Sequence, residues 1–78
     1  TAFQDVNKAR ASDIFVEIAN DLFIVRGGKS REHIFRRDGL LVTTINSRTR
    51  ASHARRLRDG TIRPATAEEV EQLKALFR

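Results

Sequence analysis

The chain predicts an α+β fold: a small antiparallel sheet built from hairpins, packed by a short basic helix and an amphipathic C-terminal helix. Three observations carry this. Short runs of Ile, Phe, Val and Leu, punctuated by turn residues, extend through Ile45. A period near three begins at Ser47. Finally, Thr66 and Glu69 stand in capping-box spacing ahead of an apolar stripe. At 78 residues, the expectation is one small basic domain over 1–78, with a core thin enough for stability to be marginal.

Within residues 14–25 the runs Ile14–Ile18 and Leu22–Val25 flank Ala19-Asn20-Asp21, which is turn chemistry, so a hairpin is expected. The spacing of Ile14, Ile18 and Leu22 also fits a helix capped by Ser12 or Asp13. Gly27-Gly28 ends this unit. Followed by Lys29 and Ser30, the pair superficially resembles a phosphate loop, but the GxxxxGK[ST] spacing is missing and a plain turn is the stronger reading.

The segment from His33 to Ile45 reads as a second hairpin, with Asp38-Gly39 as a two-residue type I′ turn. Such a turn sets Arg36 opposite Leu41, Phe35 opposite Val42, Ile34 opposite Thr43 and His33 opposite Thr44. From Ser47 to Arg58 a helix is expected, capped by Asn46 or Ser47 and stopped by Asp59-Gly60. Ala51, Ala54 and Leu57 would face inward. Arg48, Ser52, Arg55 and Arg56 would then face solvent, with Arg50 and Arg58 at the edges of the apolar arc. After an extended Thr61-Ile62-Arg63 and Pro64, the last helix places Val70, Leu73, Leu76 and Phe77 within an arc of about 120°. Its acidic first turn, Glu68-Glu69, is explained by the helix dipole.

Charge is the main functional signal. Residues 26–63 hold 11 Lys/Arg against Glu32, Asp38 and Asp59, a net of +8, whereas the flanks hold four bases and seven acids. Twelve of the fifteen bases are arginine, whose planar fork suits phosphate and carboxylate better than a lysine point charge. A nucleic-acid-binding protein, such as a small DNA-binding regulator, is the leading expectation. The contacts would come from Arg36 and Arg37 on the hairpin and from Arg48, Arg50, Arg55, Arg56 and Arg58 on the basic helix. DNA or RNA is then the partner. The alternative is a protein-interaction module or inhibitor that binds an acidic protein, since arginine is also a hot-spot residue.

Catalysis has little to stand on. There is no cysteine, no HExxH and no nucleophile elbow. His33 and His53, if they converged, would permit a metal-independent ribonuclease with arginine stabilising the phosphorane. The expectation is no enzyme, no cofactor and no metal. No run approaches the roughly 20 apolar residues of a membrane span, so no membrane and a cytoplasmic location are expected. Thin core and candidate edge strands point to a homodimer.

Overall fold

The computed structural model describes residues 2–28 and 30–77. Its element order is α1 (Ala2–Lys8), a 3-10 turn (Ala11–Asp13), β1 (Ile14–Glu17), β2 (Leu22–Arg26), β3 (Glu32–Phe35), β4 (Leu41–Ile45), α2 (Arg50–Arg58), β5 (Ile62–Pro64) and α3 (Ala67–Leu76). The five strands form one antiparallel sheet in the order β4-β3-β2-β1-β5. The expected α+β class and both expected packing helices are present. Helix α1 is an addition, because the sequence reading assigned no element to residues 2–8.

The chain crosses the sheet once, from edge strand β4 through α2 to the opposite edge strand β5. Two cores result. On one face Val6 and Ala9 from the N-terminal segment and Leu73 from α3 meet Ile14, Val16, Phe23, Val25 and Phe35. On the other, Phe15, Ile24, Ile34 and Ile62 lie beneath Leu57 of α2 and beside Leu22 and Ile45. Strands β1, β2 and β3 are therefore buried on both faces, which is why β1 and β2 read as apolar runs rather than as alternation, while β3 buries Glu32 and His33 beside Ile34 and Phe35.

The β1–β2 hairpin forms as expected, pairing Phe15 with Ile24 and Val16 with Phe23, and Asp21 takes the positive φ its turn requires. The second hairpin differs from its expected turn. Arg36 N–H donates to the Leu40 carbonyl and Gly39 N–H to the Arg36 carbonyl, a three-residue loop in which only Gly39 has positive φ. His33 opposite Thr44 and Ile34 opposite Thr43 stand, but Phe35 pairs with Leu41, leaving Val42 as the extra residue of a bulge. Leu40, Leu41 and Val42 are exposed along this free edge.

Helix α3 begins with the expected reciprocal cap between Thr66 and Glu69. Leu73 is fully buried and Val70 and Phe77 pack on the same core, whereas Leu76 is half exposed and lies against Gly39. Phe3 lies outside the core, exposed but partly covered by Phe77.

The orientation of α2 overturns its expected inner face. Thr49, not Asn46 or Ser47, caps the helix by accepting from Ser52 N–H. Ala51 and Ala54 are exposed, while Ser52, His53, Arg56 and Leu57 turn towards the sheet. Two alanine methyls hide little area. The His53 ring against Phe15 and the leucine against the second core hide more, and the buried Glu32 draws Arg56 inward.

Candidate nucleic-acid interface

Glu32 is the first residue of β3 and is fully buried, so its charge requires cations close by. Arg56 meets it at 2.8 Å and Arg26, on the neighbouring strand, at 3.2 Å; Arg48 stands at 3.7 Å. Arg26 also donates to the Arg48 carbonyl. Three arginines thus surround one carboxylate. Arg48 and Arg56, expected on a solvent-facing arc, are partly buried structural groups, and this is the main correction to the expected site.

Arg37 is committed too. It donates to Asp21 and to Glu69 and lies 4.5 Å from the centre of the Phe23 ring. Its neighbour Arg36 is exposed but paired with Asp38 at 2.7 Å. The hairpin is therefore largely neutralised. Glu69, besides closing the α3 cap, grips Arg63 through two hydrogen bonds. Those bonds, reinforced by Arg37 and by the Thr66 backbone, hold its carboxyl far below the usual range. A capping residue that also anchors two arginines was not legible from its position in a first turn.

What remains is Arg50, Arg55 and Arg58. At about 100° per residue, Arg50, Ala54, Arg58, Ala51 and Arg55 follow one another across about 140° of α2, and all five are exposed. No ion pair engages these three arginines among the described residues, and the helix carries no acid. Two methyl-bearing residues between three long cations leave the helix surface low, so a phosphate chain can approach closely. Arg55 and Arg58 also suit the negative end of the helix dipole.

The basic surface continues into a cavity of about 1070 Å³ at the end of the sheet where β1 starts and β2 turns into β3. Lys8, Arg10, Arg26, Arg31, Arg50 and His53 line it, with Asp5 and Asp13 as its acids. Asp5 is already saturated: Arg31 donates to both its oxygens and His33 Nε2 lies 2.5 Å from Oδ2. These bonds, Arg31 first, keep its carboxyl below the usual value against the opposing effect of burial. Close packing on Asp5 also fixes Gly27, where a Cβ would stand 2.5 Å from Asp5 Oδ2. Lys29, part of the apparent phosphate loop, lies outside the described residues.

The two histidines do not converge. His33 is buried on the α1 side, with Nε2–H donating to the Asp5 carboxylate and Nδ1 sharing a hydrogen bond of 2.8 Å with the Thr44 hydroxyl. His53 packs edge-on against Phe15 on the α2 side, ring centres 4.5 Å apart. Burial, with Arg26 foremost among the nearby cations, lowers its pKa and favours the neutral ring. The paired-histidine arrangement of a ribonuclease is thus not formed. Among the described residues, no group of three or more His, Asp or Glu is placed to hold a metal, and no helix is long and apolar enough to cross a membrane. Comparison of the chain with protein-family models, curated proteins and solved structures gave no match.

Proposed function

We propose that the protein binds nucleic acid through the outward face of α2, with phosphates held by Arg50, Arg55 and Arg58. The observation that carries this reading is selective neutralisation. Acids are spent on Arg26, Arg31, Arg36, Arg37, Arg56 and Arg63, whereas the three arginines of one helical arc have none. A helix face that only kept the protein soluble would gain from interspersed acids, whereas a phosphate-binding face is weakened by them. The reading is a backbone contact, independent of sequence, by a cytoplasmic regulator without catalytic chemistry.

The test is affinity for duplex DNA, single-stranded DNA and RNA across a salt series. Binding should weaken steeply with salt, and the Arg50→Ala/Arg55→Ala/Arg58→Ala variant should lose both affinity and slope. Absence of binding to every nucleic acid at low salt transfers the surface to the rival reading, an acidic protein partner. Self-association belongs to the same proposal, and what supports it is the unpaired edge of β4, with Leu41 and Val42 exposed and no charge between Leu40 and Ser47. Two copies joined there would present two basic faces to one polyanion.

A further inference from the structure

The α2 face is convex and suits a passing strand; the neighbouring cavity is concave and suits something that ends. We infer that this cavity takes a nucleoside phosphomonoester, supplied either by the phosphorylated end of a nucleic-acid strand or by a free nucleotide. The strand-end form rests on the nucleic-acid reading above.

Size comes first. A volume of about 1070 Å³ lies at the upper end of small-ligand cavities and leaves room for phosphate, sugar and base together. Charge comes next. Lys8 from α1, Arg10 from the segment entering β1 and Arg50 from the start of α2 converge on the cavity, and none has an ion pair among the described residues. Of the acids in the lining, Asp5 is answered by Arg31 and His33, whereas Asp13 accepts only the Arg10 backbone N–H at 3.1 Å and keeps its charge, so the five Lys/Arg of the lining still outnumber its acids. Arg31 and Arg26 lie deeper and keep donors beyond those given to Asp5 and Glu32.

Cations arriving from three separate segments fit a compact group with charge near −2 better than a single diester charge within a chain. The His53 ring, backed edge-on by the nearly buried Phe15, lines the cavity beside them and offers a flat surface for the sugar or base. Arg50 belongs both to the cavity and to the α2 face, so a strand lying on α2 would lead its terminal nucleotide into the cavity.

The experiment compares short single-stranded oligonucleotides of one sequence carrying a 5′-phosphate, a 3′-phosphate or neither, alongside adenosine 5′-monophosphate, by calorimetry or fluorescence anisotropy. One phosphorylated form should bind about tenfold tighter than the unphosphorylated strand. Lys8→Gln/Arg10→Gln should erase that preference, bringing the ratio of phosphorylated to unphosphorylated affinity to within about twofold of one. Arg55→Ala/Arg58→Ala should weaken all the strands alike. Equal affinity for the three strands and no binding of the mononucleotide overturns the cavity proposal and leaves the backbone reading intact. Mononucleotide binding that depends on Lys8 and Arg10, without binding of any unphosphorylated strand, supports the cavity and sinks the backbone reading. No binding by any probe overturns both.

Discussion

Arg56 on α2 and Glu32 on β3 face each other at 2.8 Å across the second core, and the glutamate has no exposure to solvent. The pair joins the crossover helix to the start of β3. It also divides neighbouring arginines into two kinds, since Arg55, one residue earlier, has no such partner.

Arg56→Ala should therefore destabilise the fold by about 2–3 kcal/mol, because Glu32 keeps Arg26 but loses its shortest contact. Arg55→Ala should stay within about 0.5 kcal/mol of the parent. Chemical denaturation of the two single variants gives the comparison. Equal losses would mean that α2 is rotated from the orientation described.

Replacing Arg50, Arg55 and Arg58 together by alanine should leave the thermal transition within a few degrees, since alanine favours helix and no ion pair is broken among the described residues. The same variant should reduce the log–log salt slope by about 2–3 units, one phosphate contact per arginine. A slope unchanged from the parent would place the phosphates elsewhere.

Leu73→Ala should cost about 2–4 kcal/mol, because the side chain is fully buried where α3 meets the sheet. Leu76→Ala, on the same helix but half exposed, should cost clearly less. Urea unfolding with equal m-values for both variants makes the reading direct.

Acid should unfold the protein through its paired carboxylates. Glu69 and Asp5 both have folded pKa values below their ordinary ones, Glu69 chiefly through Arg63 and Asp5 chiefly through Arg31. Their contribution is complete above the ordinary carboxylate pKa and is lost as pH falls through the lower folded values. Glu69→Gln should lower stability at neutral pH and flatten the decline below about pH 4.5. His53 adds a step at higher pH: its folded pKa is lowered by burial, so the unfolded chain takes up a proton first as pH drops below about 6.5. Stability should begin to fall there, and His53→Gln should remove that step.

Edge pairing through β4 should be visible by sedimentation at tens of micromolar protein as a concentration-dependent dimer. Val42→Lys places a charge on the exposed bulge and should return the protein to monomer without loss of fold. A parent that is strictly monomeric would remove the paired-face mechanism.

Local chemistry announced the turns, the Thr66–Glu69 cap and the first hairpin, because each depends on residues a few positions apart. Asp38-Gly39 announced a turn but not its length, since the same glycine serves a two- or a three-residue loop. The face of α2 was misread for a different reason. Its alanine spacing is a local pattern, but its orientation is set by Glu32 and Phe15, which lie 24 and 38 residues from Arg56 and His53. Charge density identified a basic middle without showing that most of its arginines are paired, some of them from afar, Arg37 by Glu69 and Arg31 by Asp5. Of the three arginines of α2 without an ion pair among the described residues, the wheel placed Arg55 on the solvent-facing arc, where it lies, but Arg50 and Arg58 at the edges of the inner arc, although both are exposed.

The crossover from β4 to β5 imposes an order of assembly. Strand β1 is paired on one side by β2, its neighbour in sequence, but its other edge waits for residues 62–64. A nascent chain ending near residue 60 would have four strands, a first core without Leu73 and the rest of α3, and two open edges, the state most exposed to wrong pairing. Closure joins Phe15 to Pro64 in one long-range step, and the proline, which has no N–H to offer, leaves the finished border with one donor fewer for another strand to use. The last third of the chain thus completes the sheet and gives β1 its final neighbour.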